Sequence, residues 1–256
     1  VQSLFSRQYQ APVLYENPAG GMFPMLPMAN RVAGNRFIFQ GREIVLPRHH
    51  ADAHFFLHGD GWLQRWDIIA RDGDFCVLQL RRQHACGFDY LAQIRYHLLR
   101  NQLIASLTLT HCGSTPIPYG CGFHPFFSFD KRSTVQFTAG GYWPEGEQHL
   151  PLDWQSHLPG YADFSHPQYG EDRWLNVGYS GWSGRARIVS DVMTITILSQ
   201  TSWLMLFRMQ GEPFLCLEPQ THPVNAHNMD GQPGLRVLGA GDTLNFSLKI
   251  DVQGRE

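Results

Sequence analysis

Residues 93–110 read QIRYHLLRNQLIASLTLT, and their spacing decides the fold class. Ile94, Tyr96 and Leu98 alternate with Gln93, Arg95 and His97. After Arg100-Asn101 the pattern resumes: Leu103, Ala105, Leu107 and Leu109 alternate with Ile104, Ser106, Thr108 and Thr110. A period of two is that of a strand with one face buried, whereas a helix repeats near 3.6. Two such runs separated by two residues form a hairpin. The stretch is therefore predicted to be an antiparallel pair turning at Arg100-Asn101.

The same period recurs on both sides. Residues 36–39 and 43–46 (RFIF, EIVL) flank Gln40-Gly41-Arg42, and residues 65–71 and 75–81 flank Asp72-Gly73-Asp74, a strong turn signal. Further strands are predicted at 134–138, 185–189, 192–198, 203–209, 214–217 and 243–252. No long segment carries a helical period. Many short strands with Gly/Pro turns predict an all-β, antiparallel sandwich or barrel. Residues 139–173, rich in Gly, Pro, His, Trp and Asp, have little periodicity and are predicted to make long excursions over one face. At 256 residues the chain fits one large all-β domain or two ordinary ones. It contains no repeat, low-complexity tract or linker, so one domain over 1–256 is expected.

Composition narrows the function. The apolar fraction is 43%, enough for a full core, and the formal charge is −2. That charge argues against nucleic acid or an anionic membrane as partner. No apolar run is long enough to span a bilayer, and there is no charged-then-apolar leader. The chain starts at Val1 rather than Met, which leaves room for a further N-terminal edge. Five cysteines, at 76, 86, 112, 121 and 216, form no CxxC pair. They suit free thiols in a reducing compartment, so the cytoplasm is the expected location.

Several stretches carry candidate chemistry. In Gly122-Phe123-His124-Pro125-Phe126-Phe127, proline pushes His124 toward extended backbone. Its imidazole is either a proton donor aimed into a cleft or a core histidine bonded to backbone. In LCLEPQTHPVNAHN (215–228), Glu218 follows an apolar strand and precedes a proline. It is either a partly desolvated base or a strand-end carboxylate paired to an arginine. In HHADAHFFLH (49–58), His50, His54 and His58 would share one face of a helix and suit zinc. Pro47 and Phe55-Phe56-Leu57 favour a strand instead, with His54, Phe56 and His58 on one face, and no metal site is expected. In EDRWLNVGYSGWSG (171–184), Asp172 beside Trp and Tyr suits a sugar site or a turn cap. In MANRVAGNR (28–36), Arg31 and Asn35 either hold a hydroxyl pair or phosphate or belong to a surface loop.

Together and in this order, these stretches resemble the aldose 1-epimerase (galactose mutarotase) family over nearly the whole chain. The resemblance rests on PMANRVAGNRFIFQGREIVLP, LHGDGWLQRW, FHPFF, the aspartate stretch and LCLEPQTHPVNAHN. It implies a galactose mutarotase-like β-supersandwich with an open cleft. It also implies that His124 is the general acid and Glu218 the general base, that His58 binds and orients the sugar, and that Arg31 and Asp172 contact it. The chain begins later than typical members. The arginine usually close after the His-Gly pair is displaced, because Gly59 is followed by Asp60-Gly61-Trp62-Leu63-Gln64-Arg65.

Exchange of α and β anomers breaks the C1–O5 bond of a hemiacetal. A base takes the C1 hydroxyl proton while an acid protonates O5. The aldehyde turns about C1–C2 and recloses. No electron moves, so neither a redox cofactor nor a metal is expected, and the expected partner is a small sugar. Three alternatives stand beside this reading. One is a hexose-6-phosphate mutarotase, with Arg31, Arg36, Arg65 or Arg173 at the cleft mouth. Another is a non-catalytic carbohydrate-binding protein. The third is a polysaccharide-acting enzyme with a long open groove.

Overall fold

The 93–110 stretch forms the hairpin that its period dictates. In the computed structural model, which describes residues 1–16, 20–170 and 172–255, Asp89–Leu99 pairs with Gln102–His111. Leu99 lies opposite Gln102 and Leu98 opposite Leu103. Arg100 closes the turn in the left-handed region, at φ 52°. Glu171, the first residue of the 171–184 stretch, lies outside the described residues.

Two antiparallel sheets make the body of the molecule. The hairpin sits within a nine-stranded sheet that runs from Gln168–Tyr169 at one edge to Asp67–Arg71 at the other. An eight-stranded sheet has the order Leu4–Ser6, Ala11–Leu14, Gly122–Ser128, Phe214–Gln220, Trp203–Arg208, Leu175–Ser180, Gly141–Trp143. Met22–Met25 also pairs with Gly122–Ser128. The inner faces meet in one apolar core. Phe123, Phe127, Leu206, Leu215 and Leu217 come from the eight-stranded sheet, and Leu107, Ile195, Ile197, Leu248 and Ile250 from the other. Each such side chain contributes roughly 1.5–3 kcal/mol on burial, which holds the sheets face to face. The helices among the described residues are single 3-10 turns, and none is long and apolar enough to cross a membrane.

The predicted hairpins appear as Arg36–Phe39 with Arg42–Val45 and as Asp67–Arg71 with Phe75–Gln83. Among the described residues of 139–173 the only regular elements are Gly141–Trp143, Glu147–His149 and Gln168–Tyr169, and the rest is loop and turn. Two expectations are corrected. Residues 54–58 are not a strand. Asp52 Oδ1 accepts the N–H groups of His54 and Phe55, and Asn35 Oδ1 accepts that of Phe56, so side chains take the donors a sheet would need. Nor does Glu218 end its strand, which continues through Pro219 to Gln220.

Candidate active site

Alternation in two neighbouring strands assembles the centre of the site. In Gly122–Ser128, Phe123 and Phe127 point into the core, so His124 and Phe126 point out. In Phe214–Gln220, Leu215 and Leu217 point inward, so Phe214, Cys216 and Glu218 point out. The register pairs Gly122 with Gln220 and Phe126 with Cys216, which sets His124 opposite Glu218. Their side chains meet: His124 Nε2 lies 3.1 Å from Glu218 Oε1. Gly122 allows the close approach, because a Cβ there would fall 2.7 Å from Pro219 O.

Burial sets the protonation of this pair. Glu218 is 1% exposed and His124 6%. The His124 ring stacks on Phe23 and Phe126, with centroids 4.6 and 4.7 Å away. Burial raises the Glu218 carboxyl to about 8, against the opposing field of Arg31. Burial lowers the His124 imidazole to about 3. Without sugar, burial therefore favours the neutral form of both groups at neutral pH, with Glu218 Oε1 and His124 Nε2 within proton-transfer distance. Transfer of the Glu218 proton to Nε2 gives carboxylate and imidazolium with no change in total proton count. The expected partly desolvated glutamate is thus deeply buried and neutral at rest.

The remaining walls come from loops. His58 Nδ1 accepts the Asn30 N–H at 3.1 Å, which leaves the proton on Nε2. Burial first, then the fields of His124, Arg31 and His49, holds His58 well below the usual histidine range. It is a neutral donor beside His124, with ring centroids 5.2 Å apart. The His58-Gly59 turn requires φ values of 57° and 64°, and a Cβ on residue 59 would meet Leu26 O at 2.1 Å. The 28–36 loop is tied to the segment that follows the Glu218 strand. His222 Nε2 accepts the Ala29 N–H, Asn225 Oδ1 accepts the Ala33 N–H, and Asn225 N–H donates to Arg31 O. The histidine and asparagine of THPVNAHN therefore fix the loop that bears Arg31.

These residues enclose a cleft of about 260 Å³. Arg31, His58, His124 and Glu218 all line it, together with Asn30, His149 and Asn176 and the rings of Phe23, Trp62, Phe126, Trp174 and Phe207. Glu145 braces one wall. It accepts from Trp174 Nε1 and Asn176 Nδ2 at 2.7 Å each and from His149 Nδ1 at 2.5 Å. Burial pushes the Glu145 carboxyl up, but these hydrogen bonds outweigh it and hold the group below its usual range.

The structure does not bring Asp172 to the others: it is exposed, lies outside the cleft lining, and accepts the Gly211 N–H at 2.5 Å. The strand begins at Leu175, and the bend before it turns Asp172 away, while Trp174 and Asn176, two apart, keep the cleft-facing side. Asn35 also serves structure, holding Phe56 N–H and the carbonyls of Leu46 and Pro47. Exposed His50 and His54 do not join His58 in a cluster. Among the described residues, the grouping with metal-like spacing is His124, Cys216 and Glu218. Burial, and then the field of Glu218, keeps Cys216 a thiol rather than a thiolate.

The family pattern described as aldose 1-epimerase matches residues 8–251. The chain belongs to the aldose 1-epimerase family. It is 34% identical over 244 residues to the uncharacterized protein YphB of Escherichia coli K12, spanning 90% of this chain and 83% of that protein. The crystal structure of a candidate aldose 1-epimerase from the same organism superposes with a TM-score of 0.91 at 32% identity, covering 96% of this chain and 90% of that one. The GalM/aldose epimerase homologue of C. elegans shares the fold at 16% identity, with a TM-score of 0.80 over 99% of this chain and 92% of the other. The sandwich is thus the galactose mutarotase-like fold of this aldose 1-epimerase family.

Proposed function

We propose that this protein is an aldose 1-epimerase acting on a free hexose, with Glu218 as base and His124 as acid. The observation that carries the reading is the buried His124–Glu218 pair, 3.1 Å apart, on the wall of a monosaccharide-sized cleft. A sugar entering between the two groups replaces their mutual contact with bonds to its own hydroxyls. In the carboxylate–imidazolium form, Glu218 takes the C1 hydroxyl proton and His124 protonates O5. The aldehyde rotates about C1–C2, and the reverse transfers close the ring and restore both groups. His58 Nε2–H and Arg31 supply donors to ring hydroxyls, and Trp62, Trp174 and Phe207 offer apolar faces to the sugar's C–H groups.

The lining favours a free sugar over a 6-phosphate. Among the described residues Arg31 is its one arginine; Arg36 is exposed and pairs with Glu43, Arg65 is exposed, and Arg173 lines a different cavity. A volume of about 260 Å³ lies near the small end of ligand sites and does not suit a polysaccharide groove. A binding-only role would gain nothing from burying an acid–base pair. NMR exchange between anomers across free and 6-phosphorylated aldoses tests the reading. Faster exchange is expected for free hexoses; acceleration confined to 6-phosphates, or none for any aldose, would defeat it.

A further inference from the structure

The strands that wall the cleft have a second face. Phe207 lies opposite Asn176, and Arg208 opposite Leu175. Phe207 and Asn176 line the cleft, whereas Arg208 and Leu175 point the other way and line a separate cavity of about 130 Å³. Arg208 is 5% exposed. Its guanidinium lies 5.0 Å from the centre of the Phe129 ring, and its Nε has no hydrogen-bond partner. Among the described residues no carboxylate is ion-paired with it. Asp172 acts on it through its field, while accepting its hydrogen bond from Gly211. A second cation, Arg173, lines the same cavity over Tyr161 and donates to Tyr161 O at 3.2 Å. Gly170 makes room for Arg208, since a Cβ there would fall 2.5 Å from Nη1.

A buried cation without a bonded counter-charge is costly, and the cost falls when an anion supplies that charge. We propose that the cavity formed by Arg208, Arg173, Gln168 and Tyr161 binds a small free oxyanion of the phosphate or sulfate class. At about 130 Å³ it has half the volume of the cleft, room for a small ion. Guanidinium forks match the oxygens of such an ion. Arg173 adjoins Trp174 and Arg208 adjoins Phe207, so the bound ion steadies the cleft wall from behind. The inference does not depend on the reaction proposed for the cleft.

The test is the thermal unfolding midpoint of the full chain in inorganic phosphate against chloride at matched ionic strength. Phosphate stabilises proteins generally, so the readout is the difference between variants. The wild-type midpoint should climb with phosphate. Arg208→Met should fold with a midpoint in chloride at or above wild type, since it removes a buried charge, and should lose the extra climb. Arg31→Gln should keep it. Equal climbs in wild type and Arg208→Met would overturn the proposal. So would loss of the climb in Arg31→Gln alone, or a larger response to glucose 6-phosphate that persists in Arg208→Met, because either places the anion in the cleft. If Arg208→Met does not fold, calorimetry decides: one phosphate per wild-type chain, at least tenfold weaker in Arg173→Gln. Absence of binding, or unchanged affinity in Arg173→Gln, would equally overturn it.

Discussion

Replacing Glu218 with Gln should change how the stability of the protein depends on pH. The carboxyl rises from an ordinary 4.5 to about 8 because it is buried against His124. Below about pH 4.5 it is protonated in both folded and unfolded chains. Between about 4.5 and 8 the folded chain keeps a proton that the unfolded chain releases, so stability falls as pH rises through this window. Each tenfold gain in proton affinity on folding is worth about 1.4 kcal/mol, so the whole effect is on the order of 5 kcal/mol, of which about 4 kcal/mol falls between pH 5 and pH 9. Gln is nearly isosteric, its amide N–H can donate to His124 Nε2, and it does not titrate. Wild-type stability relative to Glu218→Gln should therefore fall by on the order of 4 kcal/mol between pH 5 and pH 9. Urea unfolding of both proteins at the two pH values measures this double difference, in which other titrating groups cancel. An equal stability gap at both pH values would show that Glu218 is ionised in the fold at pH 5 and that the pair holds no proton at rest.

His124→Asn keeps some hydrogen bonding but cannot carry the proton, so turnover should fall by roughly a hundredfold or more with little change in sugar affinity, as steady-state kinetics and calorimetry would report. Above about pH 8 the pair loses its shared proton, leaving a base without an acid; anomer exchange corrected for the uncatalysed rate should decline there. Asp172→Asn should leave kcat/KM within about twofold, because Asp172 holds Gly211 N–H outside the cleft lining.

The β architecture was legible because period two is local: Leu103 to Leu109 alternate in the sequence, and each is buried in the structure. His124 and Glu218 were recognisable by resemblance, and alternation explains why both leave the core face, but the register that joins them is a long-range property. The absence of a strand at 54–58 and the position of Asp172 outside the cleft have a shared cause. The side chains of Asp52, Asn35 and Asp172 accept backbone N–H groups, bonds that hydrophobic periodicity does not encode. Trp174 and Asn176 lie in the same stretch as Asp172, and their spacing of two was the available signal. Glu145 lies in an aperiodic loop, so its bracing role emerges only from the fold.

The most direct test of the central claim is polarimetric mutarotation of freshly dissolved α-glucose and α-galactose, wild type beside Glu218→Gln, with sugar binding followed by calorimetry. Wild type should accelerate the exchange, Glu218→Gln should lose that acceleration by orders of magnitude, and sugar affinity should change little. A Glu218→Gln variant that binds sugar normally and exchanges anomers at near wild-type rate would contradict the assignment, as would a wild type that binds the sugars and never speeds their mutarotation.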